Sequence, residues 1–160
     1  MSISDEIVVM RDGAIQQVGA PQTVYDDPVN LFVAKFLGTP PINVFKGQVK
    51  DSKLYIGQED VLDISGVENQ EVYVAIRPEG FLLSDEGRFT CDLSAVEVMG
   101  RDISVVATHE ASQNPTIRAI IGAENALSIQ SSAVRFQLKP NKVFLFHRET
   151  EERIPFDAQC

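Results

Sequence analysis

The chain has 160 residues, which is the length of one domain, or of one domain with part of another. It carries 14 Lys and Arg against 23 Asp and Glu, so its formal net charge is −9. A nucleic-acid-binding domain needs a basic face that replaces counterions around phosphates, so this charge argues against nucleic acid as a partner. The hydrophobic share of 44% is ordinary for a folded chain and excludes general disorder.

Segments that would direct the chain to a membrane or out of the cell are not found in the sequence. No apolar run approaches the roughly 18 residues of a membrane span, and residues 1–6 have neither the basic nor the apolar region of a secretion signal. Cys91 and Cys160 are far apart in the sequence, and we interpret them as reduced thiols. These features favour a cytoplasmic protein.

The first 20 or so residues have the pattern of a β-hairpin followed by a helical turn. Two apolar runs, residues 7–10 and 14–18, flank Asp12-Gly13, and Asp-Gly between such runs is typical of a tight hairpin turn. Pro21 then opens a short helical turn that continues to Asp26.

A second helix is predicted from Pro28 to Gly38, because proline is favoured in the first helical turn and glycine after the last one. One apolar face recurs at helical spacing: Val29, Phe32, Val33, Phe36 and Leu37. These five residues are a candidate packing interface, since a face of this width must be covered. A hairpin alone is too small a cover, so residues 1–38 are expected to be the end of a larger domain.

The pattern changes after Pro40-Pro41, where two prolines exclude helix. Short strands separated by turn residues are predicted at 44–49, 54–56, 61–64, 72–76, 81–84, 89–99, 103–109, 116–121, 133–138 and 143–146. Many short strands with little helix between them indicate a mainly β, mostly antiparallel barrel or sandwich.

Motifs that carry catalysis or bind cofactors are not found in the sequence. It contains neither a phosphate-binding P-loop nor a dinucleotide-binding glycine motif, and His109 and His147 are isolated from other metal-ligand residues. Pairs of acidic residues stand beside turn signals, where solvated charge is their ordinary role. The sequence therefore predicts no catalytic, metal or cofactor site in this chain.

Two polar segments are candidate regulatory or interface sites. Arg77 and Glu79 flank a proline that ends a predicted strand. They either fix this corner or form a polar anchor at a subunit or effector surface. The second segment, Gly100, Arg101 and Asp102, forms the predicted turn between two of the longer strands.

Several motifs in collinear order resemble one protein family. The segments SDEIVVMRDGAIQQVGAP (4–21), VYDDP (24–28) and NLFVAKFLG (30–38) resemble the end of the ATPase domain in ATP-binding-cassette (ABC) importers of the maltose and sugar type. The segments IRPE (76–79), VEVMGRD (96–102) and KVFLF (142–146) resemble motifs of the C-terminal extension in the same family.

This resemblance implies that residues 1–38 are the C-terminal remnant of a nucleotide-binding domain and residues 39–42 a linker. Residues 43–157 would be a transport-associated OB-like (TOBE, MOP-like) regulatory domain, which is an antiparallel β-barrel. In the family this domain helps to hold two copies together and can receive regulatory signals. The intact subunit hydrolyses ATP with Mg²⁺ to drive uptake. The Walker A, signature, Walker B and switch-histidine motifs are not in this sequence, so the chain itself is not expected to be an enzyme.

The expected partners are a second copy of the chain, the missing ATPase core and the membrane permease subunits of the parent complex, at the inner face of the cell membrane. In the isolated chain, the apolar helix face must be covered by the β domain, a second copy or an exchanged segment. An alternative function is a module that senses a small ligand, either an oxyanion or a metabolite. The net charge of −9 disfavours anions.

Overall fold

The computed structural model describes residues 6–36, 38, 42–84, 86–122 and 133–158. The strands are β1 Ile7–Arg11, β2 Ala14–Gly19, β3 Asn43–Lys50, β4 Lys53–Ile56, β5 Glu59–Ser65, β6 Gln70–Ile76, β7 Phe81–Leu83, β8 Phe89–Met99, β9 Asp102–Thr108, β10 Ile117–Gly122, β11 Ala133–Leu138, β12 Val143–His147, β13 Arg153–Ile154 and β14 Asp157–Ala158. Two short α-helices, α1 Pro21–Asp26 and α2 Leu31–Phe36, precede β3. Neither helix is long and apolar enough to cross a membrane, and the described ranges contain no other candidate span.

The N-terminal hairpin is confirmed. β1 and β2 pair antiparallel, and the turn residues Asp12 and Gly13 both have positive φ, 51° and 82°. Two consecutive left-handed residues twist the turn in the sense that antiparallel strands require. The Asp-Gly pair therefore sets the register of this hairpin.

The predicted start of the second helix at Pro28 is wrong, because α2 begins at Leu31. The Asn30 side chain caps the helix by accepting a hydrogen bond from the Val33 amide at 2.9 Å. Backbone groups on either side of Asn30 instead bond to the end of the chain: Val29 O accepts from the Arg153 amide, and the Leu31 amide donates to Glu151 O. These long-range bonds hold the segment before Asn30 in an extended form.

The five residues of the candidate packing interface do not form one covered face. Val33 is buried with Val9 and Val24, whereas Val29 lies before the helix and is 43% exposed, and Phe36 is 56% exposed. Phe32 is partly buried beside the Val33 cluster, and Leu37 lies outside the described residues.

The face of α2 that meets the β domain is formed by Leu31 and Ala34. Both pack in a cluster with Ile42, which precedes β3, and with residues from β3, β6 and β12: Val44, Ala75, Phe144 and Phe146. Because α2 has only six residues, its one turn and a half lies between this cluster on one side and the hairpin on the other. The β domain therefore covers Leu31 and Ala34, which are not among the five residues of the predicted face.

Two antiparallel sheets form the β domain. Among the described residues, one sheet joins seven strands in the order β13-β12-β6-β3-β4-β5-β14, and the other joins five in the order β10-β9-β8-β11-β7. The ten strands predicted after residue 43 are all present, with bounds that shift by at most two residues. The predicted mainly β, OB-like barrel architecture, preceded by a hairpin and short helices, is confirmed.

The largest core cluster lies between the two sheets and contains four phenylalanines. Phe45 meets Phe89 edge-on at 5.2 Å between ring centroids, and Phe81 meets Phe136 at 5.1 Å. Aromatic pairs in this geometry contribute beyond the area that they bury. The first contact joins β3 of one sheet to β8 of the other, and the second joins β7 to β11 within the five-stranded sheet.

Sequence patterns did not predict the last two strands, β13 and β14, which have two residues each. β13 pairs with β12 at one edge of the seven-stranded sheet, and β14 pairs with β5 at the opposite edge. Only Pro155 and Phe156 separate these two strands. This C-terminal seam (residues 153–158) therefore lies against both edges and almost closes the sheet into a ring.

Candidate functional site

Arg77 occupies the centre of a junction between the β domain and the N-terminal segment. It stands between the end of β6 and a 3₁₀ turn at Pro78–Gly80, because a proline cannot donate a hydrogen bond to the sheet. Its side chain is 0% exposed. A fully buried guanidinium needs polar partners, and these are supplied by both N-terminal helices.

The Arg77 guanidinium binds one carbonyl from each helix. Its Nη1 donates to Ala34 O at 2.9 Å and its Nη2 to Tyr25 O at 2.7 Å. Both carbonyls lie in the last turn of a short helix, where backbone acceptors have no partner within the helix. Burial lowers the pKa of Arg77 below its usual value, but a guanidinium keeps its charge in proteins.

Tyr25 is held between the two residues of the predicted polar motif. The Arg77 guanidinium carbon lies 3.9 Å from the centroid of the Tyr25 ring, a distance typical of a cation–π contact. The Tyr25 hydroxyl donates a hydrogen bond to Oε2 of Glu79, with 2.6 Å between the two oxygens. Burial, and then the hydrogen bond to Glu79, raises the pKa of Tyr25, so the phenol stays neutral and remains a donor.

Two more cations of the β domain bind the segment after Tyr25. Lys142 lies 3.7 Å from Asp26 and Arg153 lies 2.9 Å from Asp27. Arg153 also donates to Pro28 O at 3.0 Å. We call this group of four, Arg77, Glu79, Lys142 and Arg153, the junction cradle. The Asp26 side chain is about half exposed and the Asp27 side chain is largely exposed. The contribution of these ion pairs to stability is therefore small, and Arg77 is the main anchor.

Sequence reasoning selected Arg77 and Glu79 but missed Tyr25, Lys142 and Arg153 as members of the same site. Arg77 and Tyr25 are 52 residues apart, and Arg153 and Asp27 are 126 apart. No local spacing reports contacts at such separations. The signal that could have found Tyr25 is the resemblance of the VYDDP segment, which marked it without assigning a role.

The second predicted polar segment lies at the tip of the β8–β9 hairpin. Gly100 has φ of 74°, and Arg101 and Asp102 are exposed. Asp102 and Glu79 line the same cleft of about 390 Å³, between β7 and β10. The structure therefore brings Asp102 to the same cleft as Glu79, whereas Gly100 and Arg101 do not line this cleft.

The described residues contain no group of three or more His, Cys, Asp or Glu placed to hold a metal ion. The Cys91 thiol is buried and its pKa is raised, mainly by burial, so it is a weak nucleophile. The chemistry of the junction is the binding of one segment of the chain to another.

Comparison with known proteins gives relatives of one kind, although no protein-family model matches the chain. The oligosaccharides import ATP-binding protein MsmX of Bacillus subtilis is 34% identical over 96% of this chain and 46% of its own length. The sulfoquinovosyl glycerol transport ATP-binding protein SmoE of Agrobacterium fabrum is 30% identical over 96% of this chain and 45% of its own. The sn-glycerol-3-phosphate import ATP-binding protein UgpC of Jannaschia sp. is 26% identical over 96% and 43%.

The chain thus spans less than half the length of these relatives. Each of them is named as an ATP-binding protein of import or transport. The resemblance of this chain to ATP-binding proteins of sugar-type ABC importers is confirmed, and it extends over 96% of the chain.

Proposed function

We propose that the chain is the C-terminal regulatory and dimerisation part of the ATP-binding subunit of a sugar-type ABC importer. Residues 1–38 are the end of the nucleotide-binding domain, residues 39–42 are a linker, and residues 43–157 form the TOBE regulatory domain. ATP and Mg²⁺ bind to the parent subunit, and this part does not catalyse. The observation that carries the proposal is the junction cradle, which fixes the end of one domain to the other.

A regulatory domain acts on an ATPase only if the orientation of one constrains the other. The buried Arg77 guanidinium binds a carbonyl of α1 and a carbonyl of α2 at 2.7 and 2.9 Å. Such bonds are directional and weaken steeply when the donor is misaligned. The cradle therefore supports the proposal that a movement of the regulatory domain is passed to the ATPase domain. Apolar contacts alone would fix the relative orientation of the two domains less strictly.

The exposed apolar surface of the hairpin supports a missing ATPase core as a partner. Val8, Met10, Ile15 and Val18 are each between 49% and 62% exposed. They share one small hairpin, and Phe36 of α2 is also 56% exposed. A contiguous apolar surface of this kind marks an interaction site in a folded protein.

The remaining partners follow from the same proposal. The tip of the β8–β9 hairpin carries Arg101 and Asp102 in solvent and Val98 at 80% exposure, and it is our candidate contact with a second copy. A symmetric dimer uses the same surface on both copies. Permease subunits of the parent complex place the protein in the cytoplasm at the inner face of the membrane.

A chimera tests the proposal. The part of Bacillus subtilis MsmX that matches this chain is replaced by residues 1–160, and the chimera is expressed in cells that lack MsmX. We expect the chimera to hydrolyse ATP and to restore oligosaccharide uptake. A chimera that folds and hydrolyses ATP but restores no uptake contradicts the proposed function.

Two variants of the chimera make this test specific to the junction. Arg77→Met removes the donor to both helices and should reduce uptake while hydrolysis persists. Arg88→Met removes an arginine that binds Asp60 and Asp63 at the surface and should leave uptake unchanged. Equal effects of the two substitutions would show that the junction has no special part in coupling.

A further inference from the structure

A second polar site lies on the β domain, away from the junction cradle. It is a cleft of about 290 Å³ where the turn before β5 meets β8 and the end of β9. Its walls are formed by Gln58 and Glu59, by Thr90 and Asp92, and by residues 108–110. The walls combine residues from both sheets of the barrel.

His109 is held in one orientation within this cleft. Its Nδ1 accepts a hydrogen bond from the Ala111 amide at 3.0 Å, and its ring centroid lies 4.9 Å from that of Phe89 and 6.0 Å from that of Phe45. Burial lowers the pKa of His109, although Glu59, Glu110 and Asp92 oppose the shift. The imidazole is therefore neutral near pH 7, and because Nδ1 is an acceptor, Nε2 carries the proton.

Gly57 leaves the edge of this imidazole open. A Cβ at this position would lie 3.4 Å from Cε1 and 4.0 Å from Nε2 of His109. The residue also has φ of +64°, which favours glycine. The Nε2–H group of His109 is thus a fixed donor at an uncrowded edge.

Glu59 supplies a fixed acceptor in the same cleft. Its Oε1 accepts a hydrogen bond from the Thr90 amide at 2.9 Å, which ties the carboxylate of one sheet to the backbone of the other. The Thr90 and Thr108 hydroxyls and the Gln58 amide both donate and accept. The cleft therefore presents donors and acceptors side by side around one aromatic ring.

This combination selects among ligand classes. Three carboxylates, Glu59, Asp92 and Glu110, repel anions, and none of the described residues that line the cleft has a cationic side chain. A diamine would pair with the carboxylates but would offer no acceptor to the Nε2–H group of His109. A hydroxyl group donates and accepts at once, so adjacent hydroxyls match the walls.

We propose that this cleft binds a neutral polyhydroxylated molecule of the size of one sugar ring. Its volume of about 290 Å³ is at the small end of the range for ligand pockets. The His109 ring provides a surface for the apolar face of the sugar, and Nε2–H and the Glu59 carboxylate bind its hydroxyls. The charge of the walls excludes sugar phosphates.

Titration of the whole chain tests the proposal, with the His109 Cε1 proton followed by NMR. The probes are glucose, galactose, myo-inositol, glucose 6-phosphate and putrescine, each raised to millimolar concentration. We expect at least one of the three neutral polyols to shift the His109 signal saturably, and to bind more tightly than glucose 6-phosphate or putrescine. No saturable shift with any neutral polyol, or tighter binding of putrescine or the phosphate, overturns the proposal.

Matched variants locate the binding, which is measured for them by calorimetry. Glu59→Gln keeps an oxygen for the Thr90 amide, and His109→Asn keeps an acceptor for the Ala111 amide while removing Nε2–H. Each should lower the affinity for the polyol at least about tenfold. Glu68→Gln, at an exposed position outside the cleft, should leave the affinity unchanged. Unchanged affinity in both cleft variants contradicts the site. The uptake test of the chimera does not require this ligand, so the two proposals fail separately.

Discussion

The junction and the barrel core are stabilised by different kinds of contact within one chain. At the junction, the Arg77 guanidinium binds two carbonyl groups and the ring of Tyr25, and the Tyr25 hydroxyl donates to the Glu79 carboxylate. Between the sheets, Phe45, Phe81, Phe89 and Phe136 pack with aliphatic side chains. The stability of the junction depends on the direction of its hydrogen bonds, and the stability of the core depends on how side chains fill its volume. The loss of the same number of atoms therefore has different consequences in the two regions.

The difference concerns the scale of unfolding. Apolar packing in the core joins both sheets, so a cavity there is felt by the whole barrel. The cradle joins two helices of six residues each to that barrel, and helices so short are not stable alone. Loss of the cradle should therefore release the N-terminal segment while the barrel stays folded.

The largest effect is expected for Phe136→Ala. Phe136 is 0% exposed, and its truncation leaves a cavity between the sheets that costs about 3–5 kcal/mol. Urea unfolding followed by circular dichroism should show one transition at a lower midpoint. Phe36→Ala, at a position 56% exposed, is the control and should change the free energy of unfolding by less than about 0.5 kcal/mol.

Arg77→Met should have a smaller and local effect. It leaves the carbonyls of Ala34 and Tyr25 without this donor, and a buried acceptor without a partner costs about 1–3 kcal/mol. We expect amide hydrogen exchange to accelerate in α1 and α2 and to stay slow in β3 and β6. Equal acceleration in the helices and the strands would show that the two regions unfold as one.

Tyr25→Phe is the mildest change and has a distinct pH dependence. The pKa of Tyr25 is raised in the folded state, so its hydroxyl stabilises the junction below the unfolded pKa of about 10, and this contribution is lost as pH rises further. At pH 8 the variant should lose about 1 kcal/mol of junction stability. Exchange rates in α1 measured from pH 8 to 11 should converge for the two proteins, and a constant difference would contradict the assigned hydrogen bond.

Sequence patterns predicted the local parts of this fold well. The hairpin turn at Asp12-Gly13 and the ten strands after residue 43 follow from turn residues and apolar runs, which are local signals. The start of α2 did not follow, because Asn30 and bonds to Glu151 and Arg153 decide it. Periodicity also placed Phe36 on a covered face, although only one and a half turns of helix form.

The sites were less predictable than the strands. Arg77 and Glu79 stand out because they flank a proline, but their partner Tyr25 lies on a helix more than 50 residues away. His109 is isolated in the sequence, and Glu59 lines the same cleft because β5 and the end of β9 belong to different sheets that meet there. The spacing of residues in the sequence does not show which strands of two different sheets lie close together.

The C-terminal seam determines when the last edge of the seven-stranded sheet is paired during synthesis of the protein. β14 pairs with β5, so Asp157 is opposite Ser65 across 92 residues. During synthesis, β5 is available long before its partner, and its edge stays unpaired on the ribosome until residue 158 has left the exit tunnel. Ring closure is therefore a late event of biogenesis, and a nascent barrel that stalls before this point exposes a strand edge to neighbouring chains.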